Sequence, residues 1–231
     1  LVTGASRGIG AAAYALLRST GHQVAGHSTR GGGDLLAGDL ADPAAPRALW
    51  DLALDRLDGR IDVLVNNAGI YEAVGDDSAD PEWHSAWDRT LTVNLQAPAD
   101  LSRLAIGHFR ARGGGGRIVN VASRAAYRGD SPQHWHYAAS KAALIGMTKT
   151  IARGYAAEQI LAFAVAPGFT VSEMTEEYLT GRGGAQILAD IPLGRVATTD
   201  EVAEAIRWLA VDAPASASGT VVDVNGASYV R

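Results

Sequence analysis

Hydrophobic residues follow two patterns along the chain. Short apolar runs, many of which end in Gly, Asn or Asp, recur between longer stretches in which apolar residues are spaced as on one face of a helix. The short runs predict strands at residues 1–3, 23–27, 35–38, 62–66, 117–121, 160–165 and 220–224. The longer stretches predict helices at residues 10–19, 44–57, 83–112 with a break around Val93, 137–158 and 200–211. Strands and helices that alternate in this way are typical of a parallel sheet.

The predicted fold is α/β: a single-domain, doubly wound Rossmann-type parallel sheet of about seven strands, with helices on both faces. A length of 231 residues suits one such domain, and we expect residues 1–231 to form it. Ligands of these sheets bind at the carboxyl ends of the strands, where the direction of winding reverses. The functional residues are therefore expected there.

Composition and charge narrow the class of partner. The formal net charge is −5 and the basic residues are scattered, so we expect neither nucleic acid nor a membrane surface as a partner, but a small molecule. No cysteine is present, which excludes disulfides and thiolate chemistry and is compatible with the cytoplasmic location that we expect. We expect no transmembrane segment and no signal peptide, and a few residues before Leu1, because the first predicted strand starts without Met.

A glycine-rich loop follows the first predicted strand and precedes a helix. The loop reads Thr3-Gly4-Ala5-Ser6-Arg7-Gly8-Ile9-Gly10. Glycine permits a tight turn and a close approach of the backbone to a pyrophosphate, and the free N–H groups of the helix start attract an anion. The loop predicts a dinucleotide site, although a glycine-rich turn without function is the alternative.

Tyr137 and Lys141 are four residues apart in a predicted helix, so their side chains lie on one face. A nearby ammonium favours the phenolate and would lower the pKa of Tyr137, which would make the phenol a usable acid or base at neutral pH. An ordinary helix face with a solvated lysine is the alternative.

Further motifs occur in order across nearly the whole chain. They are the spacing T-G-x-x-x-G-x-G, Asp39, Asn66-Asn67-Ala68-Gly69, Asn94, Ser123, Tyr137-x-x-x-Lys141 and Pro167-Gly168. Together they resemble the classical short-chain dehydrogenase/reductase family, and Pro192-Leu193-Gly194-Arg195 is similar to its 3-oxoacyl reductase-like branch. The resemblance implies an oxidoreductase that moves a hydride between a nicotinamide cofactor and a carbonyl or secondary alcohol.

The resemblance also implies roles for single residues. Tyr137 is the acid/base, Lys141 holds the nicotinamide ribose, Ser123 binds the carbonyl oxygen, and Asn94 anchors a water of the proton relay. The segment from Ser123 to Tyr137 is one residue longer than is common in the family, so Ser131 is the alternative serine. With the glycine loop, the predicted cofactor site comprises Gly4, Ser6, Arg7, Gly8, Ile9, Gly10, Ser28, Thr29, Arg30, Asp39, Leu40, Asn66, Ala68, Gly69, Tyr137, Lys141, Pro167, Gly168, Thr170 and Ser172.

The segment after the second predicted strand bears on the choice of cofactor. NAD-specific sites place a carboxylate there, whereas this chain has Ser28-Thr29-Arg30, with Arg7 as a second cation. The sequence therefore favours NADP(H), with NAD(H) possible and with solvated surface arginines as the alternative reading. Asp39 resembles the residue that binds the adenine amine; an N-cap role, for which Asp42 competes, is its alternative.

Other features concern substrate, metal and assembly. Residues 171–191 are expected to form a lid over the substrate, and the family resemblance implies a homotetramer, with a dimer second. His134-x-His136 lacks further ligands, so no metal site is predicted. Residues 31–34 replace the helix that the family usually inserts between the second and third strands. A non-catalytic NADP-binding regulatory module is the alternative function, and an epimerase or isomerase is less compatible with the glycine spacing.

Overall fold

A computed structural model of the chain describes residues 1–170 and 188–231. Its strands are β1 (His27–Ser28), β2 (Leu36–Ala37), β3 (Val63–Asn66), β4 (Gly116–Val121), β5 (Ile160–Pro167) and β6 (Val221–Val224). All the pairings between them are parallel, with β1 beside β2 and the order β3-β4-β5-β6 in the larger group. The register places Val65 beside Val119, and Val119 beside Phe163.

The chain start connects these two groups of strands. Val2 forms parallel bridges to both Gly26 and Val65, which gives the order β2-β1-Val2-β3-β4-β5-β6 across the sheet. The segment predicted as the first strand is therefore a single bridging position, because the backbone turns at Gly4, whose φ is +67°. The winding reverses between Val2 and β3, as expected for a doubly wound sheet.

The edge strands β1 and β2 have only two residues each, shorter than the predicted 23–27 and 35–38. The turn between them contains Gly31, Gly32 and Gly33, all with positive φ. The turn brings the chain back within a few residues, so there is no helix between β1 and β2. Only a short stretch of backbone on each side of the turn can therefore form strand pairing.

The helices are α1 (Gly8–Ser19), α2 (Ala45–Arg56), α3 (Asp80–Leu91), α4 (Ala97–Ala111), α5 (Ala125–Arg128), α6 (Trp135–Tyr155) and α7 (Thr199–Arg207). The predicted break around Val93 is confirmed as a π-helical turn, Thr92–Gln96, between α3 and α4. A second π-helical turn, Trp208–Asp212, follows α7, and short 3₁₀ turns occupy Ala156–Glu158 and Ala215–Ala217. Among the described residues, no helix combines the length and the apolar character needed to cross a membrane.

Alternate strand residues face two layers of helices. On one face, Leu64 and Ile118 pack with buried residues of α2 and α4, such as Trp50 and Phe109. On the other face, a second buried cluster joins α1 and α7 to the sheet through Val65, Val119, Phe163, Leu17 and Ile206. All eight residues of β5 are buried, as expected for a strand covered on both faces. The predicted α/β fold with helices on both faces is confirmed.

Candidate active site

A cleft of about 620 Å³ lies at the carboxyl ends of β1 and β3, where the winding reverses. It contains most of the predicted cofactor residues and several others; its lining is Gly4, Ser6, Arg7, Gly8, Ile9, Gly10, His27, Ser28, Thr29, Asp39, Leu40, Ala41, Asn67, Ala68, Gly69, Ile70, Arg89, Val93, Thr170 and Thr199. A smaller cleft, of about 310 Å³, lies at the amino ends of the strands, away from these residues. The position of the larger cleft is where ligands of doubly wound sheets bind.

The glycine loop is shaped by close backbone packing. A Cβ atom at Gly10 would lie 2.0 Å from the carbonyl oxygen of Gly4, so a side chain there would displace the loop. Asn67 donates its amide hydrogens to the carbonyls of Thr3 and Gly4, at 2.9 and 3.1 Å. Gly8 begins α1 with a φ of +56°, and the space at its Cβ position is open within 4 Å. The loop therefore presents the uncapped start of α1 to the cleft, which fits a phosphate group.

His27 supports this loop from β1, and the sequence analysis did not identify it. The Gly4 N–H donates to His27 Nδ1 at 3.3 Å, so Nε2 carries the ring proton and donates to the Gly38 carbonyl at 2.8 Å. Burial lowers the pKa of His27 and favours this neutral form, while its contact with Gly38 acts in the opposite direction. A single histidine in an apolar run gives no sequence signal for such a role.

The part of the cleft beside the end of β1 contains Ser28, Thr29, Arg7 and Asp39. Arg30 is exposed just beyond Thr29 and is absent from the cleft lining. Asp39 accepts a hydrogen bond from the Ala41 N–H at 3.0 Å, which leaves its second carboxylate oxygen available. Asp39 does not cap α2, whose N-cap residue is Ala44. Of the two candidates for the capping role, Asp42 bonds to the start of the helix, since its Oδ1 accepts from the Ala44 N–H at 2.9 Å.

The side chain of Asn66, a predicted cofactor residue, lies outside the cleft lining. Its side chain is buried beneath the cleft, where Nδ2 donates to Asn120 Oδ1 at 2.9 Å and to Ser102 Oγ at 3.2 Å. Asn120 in turn donates to Thr148 Oγ1 at 2.8 Å. This buried network joins β3 and β4 to α4 and α6, so the Asn66 side chain holds the sheet and helices together and does not line the cleft.

Lys141 is buried, with about 4% of its surface exposed. Its ammonium donates to the Val121 carbonyl at the end of β4, at 2.9 Å, and lies 5.8 Å from the centre of the Tyr137 ring. Burial lowers the pKa of Lys141 from 10.5 to about 8. The alternative of a solvated lysine on an ordinary helix face is wrong.

The Tyr137 ring is partly buried at the start of α6, where the edge of Tyr71 contacts it with ring centres 4.7 Å apart. Burial raises the pKa of Tyr137 to about 12, and hydrogen bonding with Ser123 acts in the opposite direction. The expected lowering of this pKa is wrong for the protein alone, because burial outweighs the hydrogen bond with Ser123 and the nearby Asp130 raises the pKa further. The phenol is therefore fully protonated at neutral pH.

Ser123 lies two residues after the end of β4, and its hydrogen bonding with Tyr137 places the two hydroxyls together. Ser131, the alternative serine, instead forms a hydrogen bond of 2.7 Å with Nδ1 of His134. The extra residue between Ser123 and Tyr137 therefore lies within a loop that does not separate them.

Asn94 lies in the π-helical turn and is fully buried. Its amide accepts from the Ile70 N–H at 2.8 Å and donates to the Ile70 carbonyl at 3.0 Å. π-Helical turns are common at functional sites because they redirect a side chain. Here the turn directs Asn94 to the segment that follows Gly69, between the cleft and Lys141.

Gly69 connects the cleft to these polar residues. It lines the cleft, and a Cβ atom there would lie 3.3 Å from Asn94 Oδ1 and 3.4 Å from Lys141 Nζ. Thr170 lines the same cleft. Pro167 ends β5 and Gly168 follows it, packed so closely that a Cβ at Gly168 would lie 2.8 Å from Cβ of Asn225. Ser172 and most of the predicted lid, residues 171–191, lie outside the described residues.

Comparison with known proteins identifies the family. A family model described as Enoyl-(Acyl carrier protein) reductase matches residues 4–227. A solved structure of a mutant short-chain dehydrogenase/reductase from Serratia marcescens is 30% identical, with a TM-score of 0.87 over 99% of this chain and 96% of that one. The chain belongs to the short-chain dehydrogenase/reductase family.

Similar members of the short-chain dehydrogenase/reductase family cover almost the whole chain. The 3-oxoacyl-(acyl-carrier-protein) reductase of Escherichia coli is 34% identical over 100% of this chain and 96% of its own length. Nodulation protein G of Rhizobium meliloti is 38% identical over 98% of this chain and 94% of its own. A short-chain dehydrogenase of Burkholderia cenocepacia solved in complex with NADP is 32% identical, with a TM-score of 0.85 over 98% of this chain and 96% of that one.

Of the cleft residues besides His27 that were absent from the predicted cofactor site, two lie on the helices α3 and α7. Arg89 of α3 lines the short-chain dehydrogenase/reductase cleft and forms an ion pair of 3.1 Å with Glu72. Thr199, the first residue of α7, lines the same cleft. Their sequence surroundings are those of ordinary helix residues, so only the packing of α3 and α7 shows that they face the cleft. In the described part of the chain, no three His, Asp or Glu side chains are grouped to hold a metal ion.

Proposed function

We propose that the chain is an NADP(H)-dependent oxidoreductase that interconverts a carbonyl and a secondary alcohol, with 3-oxoacyl thioesters among its candidate substrates. One observation carries the proposal: Gly69 of the cleft lies against Asn94 and the buried ammonium of Lys141, next to the Tyr137 ring. Groups that can transfer a proton therefore lie beside a cleft shaped for a dinucleotide.

The cleft fits the cofactor at three places. The open space beside Gly8 would hold the pyrophosphate, Asp39 and Leu40 would contact the adenine, and Lys141 and Thr170 would hold the nicotinamide end. The bound cofactor supplies the hydride. The arginine of the glycine loop, Arg7, and the absence of a carboxylate at Ser28-Thr29 favour a 2′-phosphate and therefore NADP(H), although NAD(H) stays possible.

Tyr137 and Ser123 would act on the oxygen of the substrate. The Ser123 hydroxyl would donate to the carbonyl oxygen, where negative charge develops, and the protonated phenol of Tyr137 would give its proton to that oxygen. In the oxidising direction Tyr137 must accept the alcohol proton, for which the Lys141 ammonium beside the ring stabilises the phenolate. Because the Asn94 side chain is engaged with Ile70, a relay water would bind its main-chain carbonyl.

The decisive experiment is a carbonyl panel with NADPH, including a neutral 3-oxobutanoyl thioester, on the unmodified protein and on Tyr137→Phe. Removing the phenolic proton donor should lower kcat by at least 10²-fold while cofactor binding persists. Tyr155→Phe is the control, because this half-buried tyrosine lies at the far end of α6, where Arg110 packs over its ring. Tight NADPH binding without turnover on any substrate would instead favour a non-catalytic regulatory module.

We also propose that residues 1–231 act as one domain and that this domain forms a homotetramer, with a dimer as the second expectation. The proposal follows from the family to which the chain belongs. Light scattering on the purified protein measures the assembled mass directly, and a monomer would contradict it.

A further inference from the structure

Two arginines beside Ser123 have no part in the proposed chemistry. Arg124 follows Ser123 directly, and its N–H donates to the Pro167 carbonyl at 2.9 Å. Its backbone is therefore fixed between the serine that would bind the carbonyl oxygen and the Pro167-Gly168 turn at the end of β5. A substrate whose carbonyl is bound by Ser123 would therefore lie near the backbone of this residue.

The Arg124 guanidinium is mostly enclosed, with about 11% of the side chain exposed. It lies 4.7 Å over the ring of Phe169, and its Nη1 is 3.5 Å from Oδ2 of Asp190. Arg128 bonds to the same oxygen of Asp190 and donates to the Ser228 carbonyl at 3.3 Å. One carboxylate is thus shared by two cations.

The charge of Arg124 is only partly compensated. Burial and the neighbouring Arg128 lower its pKa, whereas Asp190 and Asp130 raise it. Asp130 is already engaged, because it accepts from the Tyr71 hydroxyl at 3.1 Å and from the Ser131 N–H at 2.8 Å. Within residues 1–170 and 188–231, the Nε and Nη2 atoms of Arg124 have no hydrogen-bond partner. An enclosed guanidinium with unused donors is stabilised when an anion reaches it.

We propose that Arg124, assisted by Arg128, binds a carboxylate that the substrate carries within a few bonds of its reacting carbonyl. The substrate class is then short oxo acids and the corresponding hydroxy acids. This inference rests on the proposed function, since it adds a second anchoring point to the same site. The carboxylate stays unchanged while the carbonyl carbon gains a hydride from the cofactor and the oxygen gains the Tyr137 proton.

Two features favour a carboxylate. The planar guanidinium matches a carboxylate in two parallel hydrogen bonds, and Asp190 shows that these two side chains hold a carboxylate oxygen between them. A neutral thioester or ester in the same place would leave the Arg124 donors unused, so the site should discriminate against it.

The test compares 3-oxobutanoate with its methyl ester, which has the same carbonyl but no charge. With NADPH, we expect the unmodified protein to have the higher kcat/KM for the acid. Arg124→Gln should lower the acid-to-ester ratio of kcat/KM by about 100-fold, mainly through KM, as when one partner of a desolvated charge pair is removed. Arg124→Lys, which keeps the charge but loses the planar donor pair, should give an intermediate ratio.

Arg47→Gln is the matched control. Arg47 also pairs with an aspartate, Asp51 at 3.5 Å, but on the exposed face of α2, where its side chain is 63% exposed. The same loss of charge at this place should leave the acid-to-ester ratio unchanged. Circular dichroism checks that each variant is folded. If Arg124→Gln does not fold, the acid-to-ester ratio is instead compared among the unmodified protein, Arg124→Lys and Arg128→Gln.

Calorimetry separates this inference from the proposed function. Binding of 3-hydroxybutanoate and of its methyl ester is measured with NADPH present, because an alcohol and the reduced cofactor cannot react with each other. If the unmodified protein binds the acid and Arg124→Gln does not, the carboxylate site is supported. This holds even if neither oxo compound is reduced, because a lack of reduction contradicts only the proposed function. Equal use of acid and ester by the unmodified protein, with no change of ratio in Arg124→Gln, overturns the carboxylate site while the oxidoreductase stands. Stronger competition by inorganic phosphate than by acetate would assign the site to phosphate and overturn the carboxylate.

Discussion

Lys141 combines a buried charge with a functional position. A lysine whose pKa falls from 10.5 to about 8 holds its proton less tightly in the folded chain than in the unfolded chain. The folded state is therefore destabilised below about pH 8, and this penalty disappears as the pH rises through 10.5. Such a charge is retained in a folded protein when the site needs it.

Lys141→Met tests whether the buried charge lowers stability while it is needed for activity. Removing the buried charge should abolish oxidoreductase activity yet raise the free energy of unfolding at pH 7 by ~1–3 kcal/mol, less than the full pKa change implies because the bond to Val121 is lost as well. The gain should shrink at pH 10, where the lysine of the unmodified folded chain is already neutral. Urea unfolding at both pH values measures it.

Lys149→Met is the control for that measurement. Lys149 lies on the same helix, α6, but is exposed, so its replacement should change stability little and without dependence on pH. A stability loss in Lys141→Met at pH 7 as large as that of an ordinary core substitution would contradict the account of Lys141 as a destabilising charge.

For single residues, the sequence predicted that Tyr137 and Lys141 lie close together, but not the protonation state of either side chain. The spacing of Tyr137 and Lys141 places both on one face of α6, because helical geometry fixes that relation. The pKa of each depends on burial and on Val121 and Ser123, which belong to other parts of the fold. For the same reason Asn66 could be assigned to a strand end but not to the buried network it joins.

Among the elements, the turn at Gly31–Gly33 connects β1, whose last residue Ser28 lines the cleft, to β2. All three glycines have positive φ. Ser28 Oγ donates to the Gly31 carbonyl at 3.1 Å, so the turn also fixes the strand end that lines the adenosine side. Its geometry should therefore influence cofactor affinity.

Gly31→Ala should destabilise the fold and weaken NADPH binding. At a φ of +68°, alanine costs ~1–2 kcal/mol, and its Cβ would lie 3.1 Å from that of Ala37. Gly33→Asn is the comparison, because asparagine tolerates this region of φ and the space at Gly33 is open within 4 Å. Urea unfolding and fluorescence titration with NADPH measure both effects; equal behaviour of the two variants would show that the turn is not strained by a side chain at residue 31.

Helices and long strands were predictable because their apolar spacing follows local geometry. The break around Val93 was also visible, and the structure assigns it to a π-helical turn that the spacing alone could not specify. The first strand was overestimated because residues 1–3 have the apolar character of a strand, while Gly4 ends the pairing after Val2. Pairing partners are a tertiary property that the local pattern does not contain.

For the whole molecule, cofactor preference can be measured as stability. A ligand that binds only the folded state stabilises it by ~2.7 kcal/mol at 100 times its Kd. We expect NADPH to raise the thermal midpoint more than NADH at equal concentration, and Arg30→Asp to narrow or invert the difference, because a carboxylate there would repel the 2′-phosphate.

Arg47→Asp serves as the control for that charge reversal, since Arg47 is exposed on α2 and is absent from the cleft lining. Equal shifts by NADPH and NADH in the unmodified protein would refute the preference for NADP(H). The motifs predicted the place of the cleft, whereas the exposed position of Arg30 outside its lining required the structure.

The single bridging position at Val2 has a consequence for folding cooperativity. Within the sheet, the pair β1 and β2 is joined to the larger group of strands by main-chain bonds of residues 1–3, such as Val2 N–H to Ala25 and His27 N–H to Val2, both 2.9 Å. This edge should open as a separate unit, with amide protons that exchange faster than those of β5. A dinucleotide in the cleft would contact both this edge and the larger group of strands. Coenzyme binding should therefore make the amide protons of the two parts exchange together, in one cooperative opening.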